Sequence, residues 1–428
     1  NKAYSGLEGV GGAKGSGNEL DPPAQNGFRG FAYTFNRVGG GAAYYRNANA
    51  SLVNCVFEDN EAAENYPSFT FGLSDTTILD DEYRAKHWAR GGALYMDSFF
   101  NHASIENCTF INNQGGGVYV DSQGSVDIQD CEFEGNARIF GTGFRSLSFS
   151  AEFYGYTVSN EPLTQEGGAL FIGDDCNSVE VRNTGFHGSE ADGDGGAVKC
   201  MSDANFVNCL FGGNTSALNG GAFDGHFVNG DPALVMTLDL SFEGCGFVQN
   251  EALLGMDAWG GAVHIQDVNA AFTDCYFFGN RAKSGGALFF SDSVVDISGA
   301  IVQDNTAIGG SGLPTGAVTS NLGVIRTPEA NAAIDVGGGI TSASSDLTIT
   351  NSQLVGNRVE GLLGRGGALS FYGGNVTNTV RNCLITDNWS NDQGGGICAT
   401  SFASPEVVNC TFVGNGAGEL GGGVFCDW

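Results

Sequence analysis

Residues 107–119 read NCTFINNQGGGVY: an asparagine, a cysteine, a phenylalanine two places on, a second asparagine, then a glycine run leading into apolar residues. The order returns at 54–60 (NCVFEDN), 208–214 (NCLFGGN) and 409–415 (NCTFVGN). A geometry that needs the same residue types in the same order, many times over, is a repeat, and its period decides the fold.

Cys55, Cys108, Cys131, Cys209, Cys245, Cys275, Cys383 and Cys410 anchor eight copies; Thr184, Ala300 and Ser352 fill the same slot, and Phe31 opens a weaker first copy, giving twelve. Two residues after the anchor every copy has a large apolar residue, as at Phe57, Phe211 and Ile385. Three before it the chain is again apolar, as at Leu52, Phe206 and Val380. In an extended strand, residues an odd number apart face opposite ways, so both positions reach one interior only if the backbone bends between them. The residue before the anchor is always Asn, Asp or Gly, as at Asn107, Asp130 and Gly244, and these types tolerate a left-handed backbone. The second asparagine, five after the anchor, recurs in eleven of the twelve copies, with Ser189 as the exception. Its amide is placed to bond its own turn and the copies stacked on either side. Gly-Gly then leads into alternating inward residues such as Leu170 and Ile172.

Each copy thus reads as three short strands joined by corners. The shortest are 23 to 27 residues from anchor to anchor, too short for a helical crossover and long enough for one turn of a coil. The fold class is therefore all-β: a parallel β-helix, or solenoid, of about twelve three-strand coils. Twelve strand spacings of about 4.8 Å make a rod about 58 Å long. Composition agrees, with 69 glycines and only 8 prolines in 428 residues and no Gly-X-Y period.

The paired signatures, FVQN at 247–250 and GGAV at 260–263, resemble those of right-handed parallel β-helix repeat proteins, and among them the FxxN and GGA[ILV] repeats of chlamydial polymorphic outer-membrane proteins. The resemblance implies a right-handed helix. It also implies an exported, adhesin-like passenger, although in those proteins a membrane β-barrel follows and here none follows Gly421.

A glycine-rich arm at 1–27 precedes the helix domain at 28–428. The arm reads as a cap, a tail, or a segment that completes another subunit. The three longest insertions, 61–88, 137–166 and 306–336, fall between the second asparagine and Gly-Gly and so leave the rod at one corner; a fourth, 225–238, leaves elsewhere. Loops decorating one side of a solenoid are where binding resides. The strand at Val424, Phe425 and Cys426 reads as an open assembly edge for head-to-tail self-association into a filament.

Eighteen basic against 48 acidic side chains give a net charge of −30, which repels nucleic acid and anionic lipid. No apolar run is long enough to span a membrane. The first residue is Asn1, so the chain reads as mature and extracellular, after loss of a signal sequence. Glu190, Asp192 and Asp194 alternate in EADGDGG and are the candidate calcium ligands; no other cofactor is expected. Asn49 and Asn375 are the candidate glycosylation sites outside the repeat corners. Cysteines in adjacent copies fit buried thiols better than disulfides, since Thr, Ala and Ser share their slot and small size is the common requirement.

Parallel β-helix polysaccharide lyases and hydrolases cluster Asp with Arg or Lys on one strand face, and the sequence shows no such cluster. His87, His102, His187, His226 and His264 occupy unrelated repeat positions. The expectation is a non-enzymatic surface protein, structural or adhesin-like, that binds itself or a host or cell-surface glycan or protein; the alternative is a polysaccharide lyase or glycoside hydrolase.

Overall fold

In the computed structural model, the residue before each of the eleven described anchors has a left-handed φ, between 49° at Asn107 and 68° at Gly299. Beyond that bend the chain begins a new strand, and residues three before and two after the anchor both point inward. Residues 2–4, 42–46, 49–63, 91–97, 102–121, 124–138, 152–153, 156–157, 166–174, 176–226, 238–252, 258–309, 337–361, 364–374 and 376–427 are described. The first copy, around Phe28 and Phe31, lies outside them.

The strands form a right-handed parallel β-helix. A pre-anchor sheet runs from Ala50–Val53 to Glu406–Val408 and a post-anchor sheet from Val56–Glu58 to Thr411–Val413, each of 11 strands. A glycine-led sheet of 12 strands runs from Ala43–Arg46 to Val424–Cys426. The three-strand coil expected from sequence gains a fourth strand: residues directly after the second asparagine form a corner sheet of 9 two-residue strands, from Ala137–Arg138 to Gly416–Ala417. A second left-handed residue makes that corner. It lies four after the anchor, at Asp59, Asn112 and Gln249 among others, with φ from 52° at Asp59 to 64° at Gly414.

Register is exact from coil to coil. Phe57, Phe110, Phe133, Phe186, Phe211, Phe247 and Phe277 stack in one column, with successive centroids 4.6 to 5.0 Å apart and ring planes within 13°. Phe206, Phe242 and Phe272 form a second stack in the pre-anchor sheet. These rings are buried except Phe57 at the end of its column, and each buried one contributes about 1.5–3 kcal/mol.

The asparagine column is the polar counterpart. The Asn250 Nδ2 donates to Asn280 Oδ1 at 2.9 Å and to the Phe211 carbonyl at 3.1 Å, while its Oδ1 accepts from Asn214 Nδ2 at 2.9 Å and from the Asn214 backbone N–H at 3.0 Å. The pattern repeats from Asn60 to Asn136 and from Asn214 to Asn415. Ser189 breaks it. Its hydroxyl is buried and has no hydrogen-bond partner among the described residues, because it is too short to bridge to Asn136.

Most anchor side chains do more than fill a small space, Ala300 being the exception. The Cys55 N–H donates to Cys108 Sγ and the Cys108 N–H to Cys131 Sγ, each at 3.4 Å; the Ala300 N–H donates to Ser352 Oγ at 3.1 Å. The Cys108 and Cys131 thiols in turn donate to the carbonyls two residues back, at 3.2 and 3.1 Å. A small side chain with a lone pair and a proton thus ties the bend to its neighbour. All twelve cysteines are unbridged. The second glycine of each pair is a contact: a Cβ on Gly221 would sit 2.1 Å from the Gly261 carbonyl oxygen.

Lys2–Tyr4 lie parallel to Glu61–Ala63 of the same chain, so the described part of the N-terminal arm extends the corner sheet as a cap would. The insertions start later than the sequence suggests. Glu61–Ala63, Ala137–Arg138 and Thr306–Ala307 are strands before the chain departs, and Gly225, His226 and Leu238 belong to strands as well. Glu61 aligns with Ala137 through Gln114, and the chain returns in register at Leu94, Leu170 and Ile340. Departure and return therefore share one corner. Most of each insertion lies outside the described residues, apart from a two-stranded antiparallel ribbon, Glu152–Phe153 with Tyr156–Thr157.

Asn250→Ala removes four hydrogen bonds and strands buried partners, and should cost about 3–5 kcal/mol in urea unfolding. Ser189→Asn should do the reverse and raise stability by about 1 kcal/mol, since it restores the missing rung.

Candidate functional site

Side chains that alternate outward on the glycine-led sheet are buried through most of the rod. The corner segments fold back over them: Trp259 stacks on Phe289 at 4.8 Å, and Ser284 Oγ meets Thr341 Oγ1 at 3.1 Å. In three successive coils this covered column carries Lys199, Asp224 and His264, aligned by strand register. Their exposures are 3 %, 0 % and 1 %, and among the described residues Asp392 is the other buried charged side chain.

Lys199 Nζ donates to Asp224 Oδ2 and also faces Glu166 at 3.7 Å and Asp194 at 3.8 Å. Asp224 Oδ1 lies 2.5 Å from His264 Nδ1. Burial opposes the Lys199 ammonium, yet the charges of Asp224, Glu166 and Asp194 hold it above the ordinary lysine range. Burial likewise opposes the Asp224 carboxylate, and Lys199 and His264 hold it below the ordinary carboxylate range. Burial and the Asp224 charge push Asp194 up. Burial pushes the neighbouring His226 down.

The Asp224–His264 pair has the form of an oriented base, with a carboxylate fixing Nδ1 and leaving Nε2 to act. Nε2 is buried, without a hydrogen-bond partner among the described residues, and the ring packs near Trp259 and Phe289. As placed, the pair meets no substrate from solvent. Its direct effect is to tie three coils together electrostatically.

The residues singled out from sequence do not converge. Glu190 is exposed on a corner strand, while Asp194 turns to Lys199 and accepts from the Asn219 N–H at 2.9 Å. Among the described residues no three His, Cys, Asp or Glu side chains are grouped as metal ligands. Asn49 is exposed and its Oδ1 accepts from the His102 N–H at 3.3 Å; Asn375 lies outside the described residues. Asn214 and Asn388 also fit the glycosylation pattern, but they are buried rungs of the amide column. Val424, Phe425 and Cys426 pair on one side with Ile397, Cys398 and Ala399, and Val424 is 43 % exposed.

Of the histidines, His102 lies 3.6 Å from Asp127 and His187 lies 3.2 Å from Glu132, both on exposed faces. His87 lies outside the described residues. Lys199 and Asp224 escaped the sequence reading, although GGAVKC, GGAFDG and GGAVHI at 195, 220 and 260 place K, D and H at one repeat position. Stacking the Gly-Gly motifs would have aligned them; nothing in the motif marks that position as buried.

A family model described as a right-handed β-helix region matches residues 26–160 and 92–308, more than half of the chain. No curated protein and no solved structure matches the sequence. No described helix is long and apolar enough to cross a membrane.

Asp224→Leu removes the nearest counter-charge of the buried Lys199 and the Nδ1 partner of His264, leaving the ammonium only the longer contacts to Glu166 and Asp194, and should cost about 3–5 kcal/mol. Replacing all three partners, Lys199→Met with Asp224→Leu and His264→Leu, should recover most of that loss. The lowered Asp224 stabilises above the ordinary carboxylate range and the raised Lys199 below the ordinary lysine range. The wild-type advantage over the triple variant in thermal unfolding should therefore hold between about pH 4 and 10 and fall off on either side.

Proposed function

The chain belongs to the right-handed β-helix family, and on that premise we propose that it works outside the cell as a non-enzymatic surface rod with an adhesin-like role. The observation that carries this reading is the shared exit of three long insertions from one corner, in register, on a rigid scaffold. Loops held on one side of a rod make a contact surface. The FxxN and GGA[ILV] resemblance to exported chlamydial passengers supports it, and so does the net charge of −30, which keeps such a rod soluble and away from anionic polymers. The sealing of Lys199, Asp224 and His264 supports a scaffold over a lyase or hydrolase. Since Lys2–Tyr4 pair within their own chain, the reading rests on the displayed corner and not on end-to-end joining.

The test has two arms. Purified protein is incubated with acidic and neutral polysaccharides while reducing ends and unsaturated uronate are measured, and no turnover is expected. In parallel, retention on surfaces coated with extracellular proteins is measured for the full chain and for a variant whose three long insertions are cut to the length of the shortest coils. Retention should fall with shortening. Turnover that disappears in His264→Gln would make the protein an enzyme, and retention indifferent to shortening would remove the displayed corner as the binding element.

A further inference from the structure

We infer that Lys199 and Asp224 condense, once the chain has folded, into an intramolecular amide that joins two adjacent coils covalently. The inference lies outside the reading of the protein as a surface binder and does not depend on it. The two residues are directly opposite in the strand register, and Lys199 Nζ is in direct contact with Asp224 Oδ2. Their side chains are 4 % and 0 % exposed. Condensing an amine with an acid in water is opposed by the water itself and by the cost of bringing the two together. Contact in one fixed orientation, away from solvent, removes both obstacles.

Neighbours in the same column show that this face closes without charge. In register with the pair stand Tyr95, Tyr119 and Phe171 in preceding coils and, beyond His264, Phe289 in a following one. All four rings are buried. A buried ion pair is often no more stabilising than apolar side chains of the same volume, so packing alone gives no reason for a lysine and a carboxylate here. One carboxylate would also be enough to neutralise one ammonium. Three face it, Asp224, Glu166 and Asp194.

Each neighbour has a place in the step. His264 Nδ1 lies 2.5 Å from Asp224 Oδ1, the oxygen that stays as the amide carbonyl, and an N–H there stabilises the negative charge this oxygen gains as nitrogen adds. Oδ2, against the lysine, is the oxygen that leaves. Asp194 lies 3.8 Å from Nζ, and burial together with the Asp224 charge raises its affinity for a proton. It takes a proton from the ammonium and returns it to Oδ2. The freed amine lone pair forms the Nζ–Cγ bond, a second proton follows to Oδ2 as the Cγ–Oδ2 bond breaks, and one water departs. The ammonium supplies both hydrogens of that water, and nothing is oxidised or reduced. Glu166, 3.7 Å from Nζ and 24 % exposed, links the group to solvent. Because the ion pair is strong, the first transfer is slow and the amide accumulates after folding. The raised Lys199 and lowered Asp224 belong to the pair before condensation, as does the pH window of its stability; the amide carries neither charge.

Intact-mass measurement of the purified full chain, followed by peptide mapping, tests this. After prolonged incubation at neutral pH the chain should weigh one water less than its sequence. Chymotrypsin, which cuts after Phe206 and Phe223 between the two residues, should release a branched peptide joining Lys199 to Asp224. Lys199→Arg keeps a buried cation that does not condense and should hold the full sequence mass. In Asp194→Asn the lighter species should appear at least tenfold more slowly, followed by mass from the time of synthesis in a cell-free reaction. A wild-type chain that stays at full sequence mass would overturn the inference, whether or not the variants fold. So would a lighter chain without the branched peptide, which would place the lost water in a succinimide at an Asp-Gly step, and so would a branch from Lys199 to Glu166 or Asp194. Equal rates in Asp194→Asn and wild type would overturn the proton path assigned to Asp194.

Discussion

One buried amide per coil constrains everything else in this rod. The stacked phenylalanines supply most of the burial, but an aromatic column tolerates sliding, and apolar contact alone does not tell one register from the next. The asparagine column does. Each amide exchanges hydrogen bonds with the coils on both sides and with a carbonyl of the neighbouring coil, so a one-residue slip would leave a donor and an acceptor stranded in the interior. With register fixed there, left-handed residues one before and four after each anchor, joined in most coils by the first glycine of Gly-Gly, set the corners, and the thiols and hydroxyls of the anchor slot close the bend that precedes them.

Much of this was legible because a solenoid repeats its requirements. Phe57 to Phe277, the bends at Asn54 to Asn409 and the break at Ser189 all stand out once the anchors are aligned, since each has the same neighbours in every coil. The second bend was hidden because Asp59, Asn112, Gln249 and several glycines share that position, with no single residue type to betray it. The corner sheet was hidden by its brevity: two residues per coil leave no alternation to read. Glu190, Asp192 and Asp194 were singled out for their alternation, which says nothing of the partners each side chain finds. Glu190 sits on a strand facing solvent, and Asp194 turns to a lysine.

The buried charges were the largest omission, and the reason is physical. Strand alternation assigns Lys199, Asp224 and His264 to the outside of the glycine-led sheet, where a charge is unremarkable. They are buried because the corner segments fold back over that face, which is a tertiary event. The rod therefore treats its outer faces differently. The glycine-led face is sealed and the pre-anchor face is charged.

Amide hydrogen exchange resolved by residue measures the central claim most directly. The backbone N–H groups of Asn113, Asn214, Asn250, Asn280, Asn305 and Asn357 each donate to the side-chain oxygen of the next asparagine, and they should rank with the slowest in the protein despite lying at corners. Asn136, whose column continues into Ser189, should exchange measurably faster than these six. Uniformly fast exchange at all of these corners, or an Asn136 as slow as the rest, would show that the amide column does not hold the coils in register.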